Sequence, residues 1–111
     1  MKNKSKVTDY MDYCIFHKYT PADHVHHLIG GSNRQLSEKY GLTIPVCARC
    51  HTSGEKLEDS IHNNPRAEDL SKMLGQAIWE KNYYKDLWYQ LNRGEDEARE
   101  RFIEIFGQSY I

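Results

Sequence analysis

With 111 residues and a formal net charge of −1, the chain is the size of one domain, long enough for a modest core. No apolar run approaches the roughly 20 residues that a membrane span needs, and the charge balance excludes a basic nucleic-acid tail. The basic N-terminus leads into Val7-Thr8-Asp9-Tyr10 rather than an apolar stretch, so no signal peptide is expected and a cytoplasmic location follows.

Residues 1–9 are polar and lysine-rich and are expected to be disordered or frayed. From Tyr10 the chain gains aromatics, Tyr13, Phe16 and Tyr19, interleaved with Cys14 and His17. Thr20-Pro21-Ala22-Asp23 is a turn signal, because proline fixes φ and aspartate bonds back to the backbone. His24 to Ile29 reads as a short strand stopped by Gly30-Gly31. Ser32 to Gly41 reads as irregular or as one helical turn, with Ser37, Glu38 and Tyr40 available to hold it. Leu42-Thr43-Ile44-Pro45-Val46 is a second short strand, and Pro45 confines it to an edge or a strand end.

Beyond Cys50 the character changes. Ser53-Gly54 and His62-Asn63-Asn64-Pro65 bracket a polar segment, and helix takes over from Pro65 with Asn64 as its cap. Leu70, Met73, Leu74, Ala77, Ile78, Trp88 and Leu91 recur at helical steps, broken by Gly75, and predict a core-facing stripe that Gly94 ends. Glu95-Asp96-Glu97 opens another helix, with Ala98, Phe102, Ile105 and Phe106 as its apolar face and Gly107 as its stop.

All three cysteines and all six histidines lie between Cys14 and His62. An odd cysteine count, with Cys47 and Cys50 three positions apart, fits reduced thiols around a metal better than a disulfide framework. Cys14-Ile15-Phe16-His17 and Cys47-Ala48-Arg49-Cys50 are two knuckles that together offer three thiolates and one imidazole, a closed structural zinc set. Two short strands bury too little to hold themselves together, so such a staple is expected to supply folding energy. The second set is nitrogen-rich: His26, His27, His51 and His62, with His24 in reserve. Residues 1–56 carry a net charge of +3 and residues 57–111 one of −4, so the histidine-rich half is the one that a polyanion tolerates.

The order Asp23-His24-Val25-His26-His27-Leu28, then Val46-Cys47-Ala48-Arg49-Cys50-His51, resembles the HNH, or ββα-metal, nucleases. More narrowly, His27-Leu28-Ile29-Gly30-Gly31-Ser32-Asn33-Arg34, Ser37-Glu38-Lys39-Tyr40-Gly41-Leu42 and Phe106-Gly107-Gln108-Ser109-Tyr110 are similar to small phage and prophage HNH proteins, including the recombination-enhancement type. The nuclease likeness covers about residues 14–64, and the looser phage likeness reaches the C-terminal residues.

The resemblance implies that His26 ligates a divalent metal and His27 is the general base. It implies His51 as a second ligand and His62 as a third, for Mg2+, Mn2+ or Zn2+. The family's middle asparagine falls at Leu42 here, and Asn33 is the substitute for the orienting role. Phosphodiester cleavage needs a base near neutral pKa, worth on the order of 10²–10⁴-fold, and a cation with open positions for phosphate oxygens. Arg34 or Lys39 would meet the scissile phosphate, arginine bidentately. In a regular strand His26 and His27 point to opposite faces, so one site can use both only at a strand end or bulge.

The sequence therefore predicts a single α+β domain. Its zinc-stapled ββα-metal finger would span about residues 10–64, with C-terminal helices over about 65–111. The expected function is metal-dependent hydrolysis of DNA, and the near-neutral charge calls for an oligomer or recruiting partner to supply affinity. The competing readings are a zinc-stapled adaptor for nucleic acid or protein that does not cut, and an interaction protein held by its acidic helical half.

Overall fold

The computed structural model describes residues 5–53, 60–87 and 97–111. Strand β1 (His24–His27) pairs antiparallel with β2 (Thr43–Val46), in the register His24↔Val46, Val25↔Pro45, His26↔Ile44 and His27↔Thr43. Between them lie a 3-10 turn (Gly31–Asn33) and helix α1 (Arg34–Tyr40). A π-helical turn (Arg49–Ser53) follows β2, and a second 3-10 turn (Ile61–Asn63) precedes α2 (Pro65–Leu87) and α3 (Glu97–Phe106). This is a small α+β fold with a two-stranded sheet. Trp88, Leu91, Gly94, Glu95 and Asp96, expected to finish one helix and open the next, lie outside the described residues, as do Gly54 and residues 1–4.

Both strands are edges, so Pro45 costs no ladder bond, and its carbonyl accepts from the Ile15 amide at 2.8 Å. The polar segment after β1 forms a longer helix than its composition suggested. Ser37, fully buried, bonds the end of β1 twice: its hydroxyl donates to the Ile29 carbonyl at 2.6 Å and accepts from the Ile29 amide at 3.1 Å. Gly41 then closes α1 in the left-handed region, at φ +70°.

The core forms where Leu28, Ile29, Leu42, Ile44 and Val46 meet Trp79 of α2 and Phe102 and Phe106 of α3. Phe102 and Phe106 stack at 4.2 Å, and Trp79 meets Phe102 edge-on at 5.6 Å, arrangements that aromatic quadrupoles favour. The α3 stripe of Ala98, Phe102 and Phe106 faces inward as its spacing indicated, with Ile105 packed against it. Asn64 caps α2 through its side-chain oxygen, which accepts from the Arg66 and Ala67 amides at 3.1 and 3.2 Å.

The expected apolar stripe of α2 is overturned. Leu70, Met73 and Leu74 are 67, 42 and 40 % exposed and Ala77 also faces outward, while Ser71, Gly75, Gln76 and Trp79 form the buried face and Ile78 is half-buried. The end of β1 comes so close to α2 that only a small residue fits, and it brings polar groups that need partners. A Cβ on Gly75 would sit 2.9 Å from Ile29 Cγ1 and 3.1 Å from Leu28 Cβ. Gly75 therefore does not break the helix; it admits the strand. Gly75→Leu is expected to lower the denaturant midpoint by an amount equivalent to about 1–3 kcal/mol or more of overpacking, and an unchanged midpoint would contradict this packing.

Candidate metal centres

The first knuckle is a closed loop. The Cys14 amide donates to the Thr20 carbonyl at 2.7 Å, the Thr20 amide to the His17 carbonyl at 2.8 Å, and Tyr13 bridges Pro21. The second knuckle leaves β2 at Cys47, whose carbonyl accepts from the His51 amide at 3.1 Å. Asp23 ties the two together: its amide donates to the Val46 carbonyl at 3.0 Å, and its carboxylate accepts from the Ala48 amide at 2.9 Å.

Cys14, His17, Cys47 and Cys50 meet as expected, each offering one ligand atom within 4.8 Å of the others. Cys14 and Cys50 sulfurs are 3.7 Å apart, and His17 Nδ1 lies 3.8, 3.7 and 3.2 Å from the sulfurs of Cys14, Cys47 and Cys50. A tetrahedral zinc ion sets its sulfurs about 3.8 Å apart and a sulfur and nitrogen about 3.6 Å apart. The cluster has the size of that shell and can hold zinc. Its electrostatics ask for a cation too. Burial pushes the Cys14 thiol up, but the backbone amides of Cys47, Phe16 and His17 and the His17 ring outweigh it and bring it down to about 6. Cys50 goes the other way, raised to about 12 by burial and by the neighbouring Cys47 and Cys14. A second thiolate in this space is unfavourable until positive charge is placed among the sulfurs.

The second centre joins His26 on β1, His51 in the π-helical turn and His62 in the 3-10 turn before α2, again with one ligand atom each within 4.8 Å of the others. Hydrogen bonding fixes which atom two of them offer. The Ser71 hydroxyl donates to the Leu28 carbonyl at 2.7 Å, so it can only accept from His26 Nε2, 2.8 Å away. The lone pair of His26 is therefore on Nδ1, which is buried and has no hydrogen-bond partner among the described residues. Likewise the Glu68 carboxylate accepts from His62 Nδ1 at 2.9 Å, leaving the lone pair on Nε2, 2.9 Å from His51 Nε2. An orphaned buried acceptor costs free energy unless something fills it. Three imidazoles facing one point, two of them oriented by a hydroxyl or a carboxylate, form a donor set for a divalent ion with open positions.

Burial, then the charges of His62, His51 and His27, lower His26 to about 3. Burial, followed by His62, His24, His27 and Arg34, lowers His51 to about 4. Both rings are neutral near pH 7 and able to ligate. His24 joins the cluster at its edge, its Nδ1 3.1 Å from His51 Nδ1.

His26 and His27 leave the strand on opposite faces, as its regular pleat requires, and the strand ends at His27. His26 turns to Ser71 of α2; His27 turns to α1, where its Nε2 donates to the Glu38 carboxylate at 2.7 Å. Arg34, Gln35, Glu38 and His27 line a cavity of about 390 Å³. Lys39 lies elsewhere, around a separate cavity with Lys6, Tyr40 and Trp79. Asn33 is engaged by the C-terminal segment: its Nδ2 donates to the Phe106 carbonyl at 2.9 Å and to the Tyr110 hydroxyl at 3.3 Å. Sequence reading missed Ser71, Glu68 and Glu38, which orient His26, His62 and His27; Ser71 lies 45 positions from its partner, and no spacing rule connects them.

Comparisons with family models, with curated proteins and with solved structures find no significant match for this chain. No helix among the described residues is long and apolar enough to cross a membrane.

The depressed histidines give a pH dependence. Unfolded imidazole takes up a proton near pH 6.5, whereas folded His26 does so only near 3. Between these values the unfolded state binds more protons, so stability falls as pH falls. The melting temperature of metal-free protein is expected to drop from pH 6.5 toward pH 3; a flat profile would contradict the burial of neutral His26.

Proposed function

We propose that this protein is a metal-dependent endonuclease of the HNH kind that hydrolyses DNA phosphodiester bonds. The observation that carries the reading is the buried, unpartnered Nδ1 of His26, facing the His51 and His62 rings, with a second histidine–carboxylate pair around the strand end. His26, His51 and His62 would hold the catalytic ion, and Cys14, His17, Cys47 and Cys50 a structural zinc. A divalent ion so held supplies a Lewis acid for the phosphate and leaving-group oxygens.

The chain's own groups do the rest. Glu38 accepts the Nε2 proton of His27, so the ring's lone pair stands on Nδ1, where it can take a proton from the attacking water. Arg34, on the same cavity as His27, supplies a planar fork of donors for the phosphate.

A second reading has one observation in its favour. Leu42, at the position of the family's asparagine, is core, and Asn33 is occupied by Phe106 and Tyr110. A finger lacking that orienting amide would serve as a zinc-stapled adaptor for nucleic acid or protein without cutting. Plasmid nicking separates the two. With Mg2+, Mn2+ or Zn2+ the protein is expected to nick supercoiled DNA, and His27→Ala to slow this on the order of 10²–10⁴-fold with unchanged melting and metal content. Nicking that survives the substitution would remove His27 as base, and a wild type that never nicks would leave the adaptor.

A further inference from the structure

We propose that the large cavity beside the imidazole triad holds one nucleoside of the substrate, base and sugar together, adjoining the phosphate at the metal centre. The proposal rests on the nuclease reading above and adds to it a subsite. The cavity is about 620 Å³, the size of a small-molecule pocket, and lies between the turn after β1, the start of α2 and the C-terminal segment. Its wall includes His62 itself, and also Glu68 and Ser71, the groups that orient His62 and His26. A ligand seated there would touch His62, one of the three imidazoles that could hold an ion.

The lining selects a neutral, flat, hydrogen-bonding group over a second phosphate. Leu28 and Phe106 are buried behind the wall, and half-buried Tyr110 is the aromatic ring against which a base can pack. The carboxylates of Glu68 and Asp69 face a single ammonium, that of Lys72, which lies 5.8 Å from the centre of the Tyr110 ring. Carboxylates repel phosphate but accept from the amino group of a base such as cytosine.

The far wall of the space is fixed by hydrogen bonds, and the near wall is open at a glycine. The far wall is clamped by amides: Gln76, fully buried, accepts from the Tyr110 amide at 2.6 Å and donates to the Ser109 hydroxyl at 3.0 Å, while Asn33 holds Phe106 and Tyr110 from the other side. The near wall contains Gly30, whose φ of −95° suits any residue and whose added Cβ would meet nothing within 4 Å. Gly30 lines the cavity, so a leucine there would occupy space that is open in the fold.

The test uses the full-length, metal-loaded protein and calorimetric titration with deoxycytidine 5′-monophosphate and with inorganic phosphate. The nucleotide is expected to bind about tenfold more tightly than phosphate, the order given by one base on an aromatic ring. Gly30→Leu should abolish that preference while leaving phosphate affinity, metal content and melting unchanged. Tyr110→Ala should weaken the preference about fivefold or more, and serves where the leucine variant fails to fold. Equal affinity for the two probes, or a preference that both variants retain, would overturn the subsite. Plasmid nicking is scored separately. Nicking without nucleotide preference overturns the subsite alone, whereas preference without nicking keeps the subsite and overturns cutting.

Discussion

Three thiols and an imidazole gathered at van der Waals distance are what the rest of the molecule depends on. The sheet is two strands of four residues, and an isolated hairpin is marginal in water. What keeps the first knuckle over the second is Asp23, the Ile15–Pro45 bond and the meeting of Cys14, His17, Cys47 and Cys50. Burial and then the neighbouring sulfurs raise Cys50, so a second thiolate forms readily only with a cation among the sulfurs. From that clasp the chain leaves directly into the other centre, because His51 follows Cys50 and His24 and His26 lie on the strand paired with the residues before Cys47.

A relay of hydrogen bonds then carries the fold into the site. The Leu28 carbonyl, one residue past the end of β1, needs a donor, and Ser71 of α2 supplies it. That bond leaves Ser71 only an accepting role toward His26, which in turn points a lone pair into the triad. A backbone group at a strand end thus sets the tautomer of a ligand. The same closeness of β1 and α2 explains why Gly75 stands where it does and why Leu70, Met73 and Leu74 are left outside.

The parts legible in the sequence were those carried by rare residue types at short spacing. Cys47 and Cys50 announce a knuckle, and a family resemblance singles out His26, His51 and His62, so the members of both groups that could hold an ion were legible in the sequence. The strands and the inward face of α3 followed from local pattern. The facing of α2 did not, because periodicity assumes that the apolar side turns inward. Here Ser71 and Gln76 are buried for the backbone groups they satisfy, at Leu28 and Tyr110. Helix α1 was underestimated for a similar reason, since Ser37 is held by Ile29, eight positions away. Glu38 and Glu68 look like ordinary surface acids until the fold sets them beside His27 and His62.

The central claim is that one chain can hold two chemically different ions, one on three sulfurs and an imidazole and one on nitrogen alone. X-ray absorption with elemental analysis of the zinc-loaded protein tests this most directly. The account predicts two ions per chain, one with Zn–S distances of about 2.3 Å and one with Zn–N distances of about 2.0–2.1 Å, and His26→Ala removing only the second. A single ion, or two ions that both survive His26→Ala, would contradict it.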